Sequence, residues 1–207
     1  MFFALADYWK YRRRVGRYSH TRLMEQGFYL ATVENFSNYD SYSLGDILFA
    51  SPADSALSWA IMYCTDSAVS HTALFYSNGV LHDCTTSGVV RHSFANYLDG
   101  KSYLCVKHLP GDLDRKAMCN FMDQTLGDGY NWRGVCVLFF HILIGNHHNF
   151  VWRLAADFML LLAVLWAGAR FFTPQADYIF GAAAAVYLVV LTVNRVFVKK
   201  SLPIENV

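Results

Sequence analysis

Two long apolar runs near the C-terminus constrain the fold of this chain most strongly. The first covers 154–172 and is apolar except for Asp157 near its start and Arg170 near its end, and the second covers 178–198. Each run is long enough to cross a bilayer, which needs about 20 apolar residues. Only the loop 173–177 separates them. The sequence therefore predicts a transmembrane helical hairpin, and the alternative is a pair of buried core helices.

Basic residues at the ends of the two runs predict the orientation of this hairpin. They precede the first run, or end and follow the second, at Arg153, Arg195, Lys199 and Lys200. The charges of Arg170 and Asp177, which flank the connecting loop, cancel. Because cytoplasmic segments carry an excess of Lys and Arg, both ends of the hairpin and the domain before it are predicted to be cytoplasmic. We therefore expect an integral membrane protein with the lipid bilayer as a partner.

The cysteine content agrees with a cytoplasmic domain. The five cysteines are odd in number and fit no zinc-binding spacing, so reduced thiols are the simpler expectation. His147 and His148 lie beside the first apolar run without enough further ligands for a metal, and they are interpreted as loop residues. No metal and no cofactor is predicted. The formal net charge of +1 gives no indication of a nucleic-acid partner.

Residues 1–42 are predicted to form a basic and aromatic N-terminal helical segment. Aromatic and basic side chains are mixed in its first half, for example at Tyr8, Trp9, Lys10 and Arg12. This mixture suits an anionic membrane surface, and a solvated basic helix packed on the domain is the alternative. The other predicted boundaries are a globular domain at 43–150, the transmembrane hairpin at 151–200 and a tail at 201–207.

The globular domain is expected to be α+β. Strands are predicted at 44–50, 70–76, 80–84, 88–92 and 103–109, and helices at 52–65 and 115–126. The first helix has a capping residue in Ser51, and Pro52 suits its first turn. A glycine-broken turn at 127–132 and an apolar run at 135–144 follow the second helix.

A β-hairpin with one histidine in each strand lies at the centre of the domain. Two short apolar runs flank Asn78-Gly79, a dipeptide that favours a tight hairpin turn. His71 opens the first strand and His82 lies in the second. Antiparallel strands can bring such side chains close together on one face. The two residues are interpreted either as structural histidines hydrogen-bonded to the backbone or as a catalytic base and its orienting partner.

The order of these elements resembles the circularly permuted papain-like hydrolases. These form the permuted branch of the NlpC-type peptidase superfamily, with the YiiX-like bacterial proteins and the lecithin:retinol acyltransferase-like enzymes. The resemblance covers about 43–135 and rests on Gly45-Asp46 before the first strand, His71 before an apolar strand, and His82. It implies a permuted papain-like domain, a small antiparallel sheet with packed helices, followed here by two transmembrane helices.

The resemblance also implies a cysteine nucleophile that is served by a histidine base. His71 would be the base, and His82 matches the residue that orients it. The nucleophile should follow at a helix N-terminus, where backbone N–H groups lower the pKa of a thiol. Cys136 is the best candidate, since it follows Gly134 at the start of a predicted helix, but the residues around it do not match the family's motif. The other cysteines after His82 are expected in strands or mid-helix, at Cys84, Cys105 and Cys119.

Two functions follow from these observations. The first is a membrane-anchored thiol hydrolase or acyltransferase that acts on an ester or amide of a lipid, lipid-linked or peptide substrate, with His71, His82 and Cys136 as its catalytic residues. The second is a catalytically degenerate papain-like domain that serves as a binding module or as a structural subunit with protein assembly partners. The departure from the family's motif around Cys136 favours the second function.

Overall fold

The computed structural model describes residues 2–15, 18–109, 112–146 and 150–197. The predicted loop residues His147 and His148 and the predicted tail 201–207 lie outside these ranges. By its internal contacts the chain divides into two compact units. One unit, the sheet unit, contains 10–62 and 67–132, and the other, the helical unit, contains 1–9, 63–66 and 133–207.

Six strands form the antiparallel sheet of the sheet unit. Along the chain they are β1 (Tyr29–Leu30), β2 (Asp46–Ser51), β3 (His71–Ser77), β4 (Val80–Thr85), β5 (Gly88–Ser93) and β6 (Tyr103–His108). Their spatial order is β1-β6-β2-β3-β4-β5, and every neighbouring pair is antiparallel. The predicted α+β class with a small antiparallel sheet is therefore confirmed.

Seven α-helices are present in the described part of the chain. They are α1 (Phe2–Arg13), α2 (His20–Glu25), α3 (Ala56–Thr65), α4 (Arg115–Thr125), α5 (Trp132–Leu143), α6 (Trp152–Ala169) and α7 (Ala176–Phe197). The helix α4 begins where Asp114 accepts a hydrogen bond from the backbone N–H of Ala117, as expected for an N-cap.

The two faces of the sheet bury different residues because strand side chains alternate. One face, the core face, packs large apolar side chains into a single cluster of Ala31, Phe36, Leu48, Ala50, Ala73, Phe75, Leu81, Phe94 and Leu104. Each buried Leu or Phe in such a cluster contributes about 1.5–3 kcal/mol. The opposite face carries the intervening residues, among them Phe49 and Leu74. The face on which a residue lies decides which polar side chains it can contact.

The hairpin of β3 and β4 has a two-residue loop and a bulge beside it. Ser77 pairs with Val80 across Asn78-Gly79, and Gly79 has a positive φ of 63°, a left-handed conformation that glycine adopts without steric cost. The next pair is Phe75 with Leu81, so Tyr76 is an extra residue in β3. Because a bulge shifts the register by one residue, it exchanges which β4 residues share a face with the start of β3.

The helical unit contains the two predicted membrane spans. The helices α6 and α7 comprise 18 and 22 residues and are long and apolar enough to cross a bilayer. Few of their side chains are buried, which is unlike the core helices of a soluble protein. They are in contact through the rings of Phe158 and Tyr187, whose centroids lie 4.9 Å apart. This part of the structure is compatible with membrane association.

One buried carboxylate joins three segments of the helical unit. Asp157 of α6 accepts hydrogen bonds from the backbone N–H groups of Phe3 and Ala4, at 3.3 and 2.7 Å, and from the Tyr63 hydroxyl at 2.8 Å. The first N–H groups of a helix have no partner within it, and a negative charge there is favourable. Asp157 therefore anchors the start of α1.

Candidate functional site

A buried carboxylate with three side-chain donors forms the polar centre of the sheet unit. The side chain of Asp83 is 1% exposed. It accepts hydrogen bonds from His71 Nε2 at 2.6 Å, His92 Nε2 at 2.8 Å and the Tyr97 hydroxyl at 2.8 Å. We call these four residues the Asp83 cluster.

The strand pairing brings the Asp83 cluster together on the core face. Asp83 lies two residues after Leu81 in β4, so both side chains point to the same face of the sheet. The register of β4 and β5 pairs Leu81 with His92, which places His92 diagonally across from Asp83. A 3-10 helix at Phe94–Tyr97 follows β5, and the Ser93 hydroxyl caps its start. This helix places the Tyr97 hydroxyl within hydrogen-bond distance of the Asp83 carboxylate.

Hydrogen bonding keeps Asp83 ionised despite its burial. Burial by itself favours the neutral acid, but the hydrogen bond and charge of His71, with the bonds from His92 and Tyr97, lower the pKa of Asp83 to about 2. Burial and the negative charge of Asp83 raise the pKa of the Tyr97 hydroxyl. At neutral pH the cluster therefore holds a carboxylate and a phenol that donates to it.

The acceptors fix which ring nitrogens carry protons. Because ionised Asp83 can only accept, Nε2 of His71 must donate, and Nδ1 carries the lone pair when this ring is neutral. His92 differs, since its Nδ1 also lies 3.1 Å from the Ser93 carbonyl oxygen. Only a doubly protonated His92 ring can satisfy both acceptors at once. The arrangement makes Nδ1 of His71 the group that is suited to accept a proton.

The structure does not bring His71 and His82 together. His82 is directly opposite Leu74, which places it on the other face of the sheet from His71, and its Nε2 lies 3.0 Å from the Thr125 hydroxyl. The bulge at Tyr76 is the physical reason. Without the extra residue, the register of the two-residue loop would put the even-numbered residues of β4 on the face of His71, whereas the bulge puts Asp83 there. Asp83 thus makes the contact that was predicted for His82.

The three cysteines of the sheet unit do not hydrogen-bond to His71 in the part of that unit that the structure describes. Cys84 lies two positions from His82 and shares its face, and Cys105 is paired with Phe49 on that same face. Cys119 lies within α4. No thiol on these strands therefore shares the core face with the Asp83 cluster.

Cys136 belongs to the helical unit. It is the fifth residue of α5 and is exposed. Its place beyond the first four residues means that its own N–H lies within the helix rather than at the free N-terminus. Its role as a nucleophile stays a prediction. Among the described residues, no cluster of three or more His, Cys, Asp or Glu side chains could hold a metal ion.

Comparison with family models, with curated proteins and with solved structures finds no match to this chain. The likeness to permuted papain-like hydrolases is therefore an inference from residue order alone. The Asp83 cluster has to be interpreted from its own chemistry.

The Asp83 cluster predicts a specific loss of stability in acid. The pKa of Asp83 is lower in the folded protein than in the unfolded chain, where it is about 3.9, so its contribution is complete above that value and is lost as the pH falls through about 2. The difference between the two pKa values corresponds to about 2.5 kcal/mol. Urea unfolding in detergent, followed by near-ultraviolet circular dichroism between pH 5 and 2, measures it. The free energy of unfolding of Asp83→Asn should depend less steeply on pH than that of the wild type. If the two proteins lose stability in parallel as the pH falls, Asp83 is not the source of the acid sensitivity.

Proposed function

We propose that this chain is a membrane-anchored hydrolase or acyltransferase in which His71, held by Asp83, is the general base. The observation that carries the proposal is the 2.6 Å hydrogen bond from His71 Nε2 to the buried Asp83 carboxylate. It fixes the tautomer, orients the ring and stabilises the imidazolium that forms when Nδ1 accepts a proton. A histidine base that a third group orients is a common arrangement for activating a nucleophile in acyl transfer.

The proposed reaction is a two-step acyl transfer. Nδ1 of His71 takes the proton of a thiol while the sulfur attacks the carbonyl carbon of an ester or amide. The imidazolium then returns that proton to the departing alcohol or amine, and an acyl thioester remains on the protein. A water molecule, or an acceptor hydroxyl or amine, then attacks the thioester while His71 again accepts a proton. The bond between the acyl carbon and sulfur breaks, and the imidazolium returns the proton to the departing thiolate, which regenerates the thiol and the neutral base. Hydrolysis and acyl transfer differ only in that last acceptor.

The membrane is proposed as the place where the substrate is found. Two helices long and apolar enough to span a bilayer follow the sheet unit in the chain, and exposed apolar side chains are also present on α5, at Val137, Leu138, Phe139 and Phe140. Lipid or lipid-linked acyl groups are the substrates that a protein anchored in this way would meet at the highest local concentration. A peptide is the third substrate class.

The orientation is proposed to place the loop between α6 and α7 outside the cytoplasm. In a cysteine-free background, Gln175→Cys is expected to react with an impermeant maleimide only from the non-cytoplasmic side of sealed vesicles. Thr86→Cys, in the exposed turn between β4 and β5, is the matched variant and should react only from the cytoplasmic side. Labelling of Gln175→Cys from the cytoplasmic side would overturn the orientation.

A covalent adduct tests the proposed chemistry. Wild-type protein incubated with p-nitrophenyl octanoate should retain one octanoyl group, detected by intact mass and released by hydroxylamine, as a thioester is. If Cys136 is the nucleophile, Cys136→Ala loses the adduct and Cys119→Ala keeps it. An adduct that survives in Cys136→Ala assigns the thiol elsewhere. A wild-type protein that neither accumulates an adduct nor accelerates ester hydrolysis would refute the enzyme.

A non-catalytic function is the second candidate, and one observation favours it. Cys84 and Cys105, the cysteines on the strands, lie on the face of the sheet opposite His71. In that case the Asp83 cluster is a structural network that joins β3, β4 and β5. The chain would then be a binding module or a structural subunit of a membrane assembly. Asp83→Ala would lower stability in such a protein, and no ester hydrolysis would depend on His71.

A further inference from the structure

A cavity lies on the face of the sheet opposite the Asp83 cluster. Its volume is about 590 Å³, within the range of about 300–1,000 Å³ that is usual for small-molecule sites. The wall is mainly apolar and includes Ile47, Phe49, Leu74 and Phe121. The polar side chains that line it include His82 and Thr125. All of these residues belong to the sheet unit.

The hydrogen bonds around Thr125 favour one tautomer of His82. The hydroxyl of Thr125 has one proton, and the carbonyl oxygens of Phe121 and Met122 lie 3.0 and 3.4 Å from Oγ1, where they can accept it. We therefore assign Thr125 as the acceptor and Nε2 of His82 as the donor in the 3.0 Å contact between them. Nδ1 of the neutral ring is then a bare acceptor.

This acceptor is buried without a partner. His82 is 8% exposed, and Nδ1 has no hydrogen-bond partner among the residues that the structure describes. A buried acceptor that is not satisfied carries the full cost of its desolvation, so natural structures supply a partner for nearly every one. The side chain lines the cavity, and the missing donor can come from a molecule bound there.

The surroundings of His82 favour the neutral ring. Burial and the positive charge of Arg91, which is paired with His82 across β4 and β5, lower the pKa of His82. The negative charges of Asp123 and Asp83 raise the pKa of His82, but their effect is smaller than that of burial and Arg91. The lone pair on Nδ1 is consequently available at neutral pH.

We propose that this cavity binds a small, mainly apolar molecule that presents one hydroxyl or N–H donor to Nδ1 of His82. A carboxylate is disfavoured because it has no proton to donate. A metal ion is disfavoured because the described residues provide no cluster of ligands. The site is separate from His71 and does not depend on the proposed enzyme function.

Two probes that differ only in the donor test this proposal. They are 2-naphthol, which carries a hydroxyl, and 2-methoxynaphthalene, which does not. The readout is the alkylation rate of Cys84, an exposed thiol on the cavity wall, followed by peptide mass mapping at known free probe concentrations. In the wild type, 2-naphthol is expected to give half-protection at about tenfold lower concentration, because it satisfies a buried acceptor.

Two variants identify His82 as the source of this preference. His82→Phe keeps an aromatic ring and removes the acceptor, so the tenfold preference should fall to about one. His108→Phe is the matched control, since His108 is exposed and pairs with Asp46 away from the cavity lining; the preference should be retained.

Nitrogen NMR of the wild type tests the same contact without a variant. Adding 2-naphthol should shift the His82 Nδ1 resonance in the direction of hydrogen bonding, and adding 2-methoxynaphthalene should not. Equal protection of Cys84 by both probes, or protection by neither, would overturn the proposal. A donor preference that persists in His82→Phe, or an unshifted His82 Nδ1 resonance with 2-naphthol, would overturn it as well.

Discussion

Replacing His71 with alanine is expected to lower the rate of p-nitrophenyl octanoate hydrolysis by a factor of about 10²–10⁴, the usual contribution of a positioned general base. His71 is the member of the Asp83 cluster whose tautomer leaves Nδ1 free to accept a proton. Without this ring, the nucleophile has to lose its proton to water. The initial rate of nitrophenolate release by purified protein in detergent measures the loss.

His108→Ala is the matched control for this rate. His108 also pairs with a carboxylate, Asp46, at 2.7 Å, but its side chain is 62% exposed and lies at the end of β6. The variant should keep the wild-type rate. Equal losses in the two variants would mean that the rate follows general damage to the sheet rather than the base. No loss in His71→Ala would contradict the assignment of the base.

Replacing Asp83 with alanine is expected to lower the free energy of unfolding by about 3–5 kcal/mol, as is typical when one partner of a buried charged pair is removed. Three donors lose their acceptor at once, and two of them belong to imidazole rings. Both histidine rings are largely buried, and the Tyr97 ring lies nearly parallel to each of them, with centroids 6.1 and 5.7 Å away. Urea unfolding at pH 7 measures the change.

Asp54→Ala provides the comparison for this loss of stability. Asp54 forms an ion pair with Arg12 at 3.2 Å, and both side chains are about half exposed. Exposed ion pairs contribute little to stability, so the free energy of unfolding of this variant should be close to that of the wild type. If Asp83→Ala were no less stable than Asp54→Ala, Asp83 would not be the polar centre of the sheet unit.

Most elements of this fold were predictable because their signals are local, and β1, which lies within the segment predicted to be helical, is an exception. Alternating apolar residues around Asn78-Gly79 predict the hairpin, and the turn has the positive φ that glycine allows. The two long apolar runs predict α6 and α7, because runs of that length and composition are typical of helices that can cross a bilayer. Such signals depend on a few neighbouring residues and not on how the sheet is assembled.

The candidate site was only partly predictable, because it depends on one residue of register. His71 was identified as the base candidate, but the bulge at Tyr76 gives its contact to Asp83 rather than His82. A sequence does not show such a bulge, although an aspartate in an apolar strand is a signal that it is buried for a reason. His92 and Tyr97 were missed because they come from β5 and the following turn, and only the tertiary fold gathers them.

We propose that Asp83 and His71 act as one catalytic unit, and a double-mutant cycle on the hydrolysis rate tests this most directly. The rates of wild type, His71→Ala, Asp83→Asn and the double variant are compared under one condition. Because Asp83 acts through His71, we predict that each single variant is slow and that the double variant is no slower than His71→Ala alone. If the rate losses of the two single variants multiply in the double variant, the two residues act independently and the proposal is contradicted.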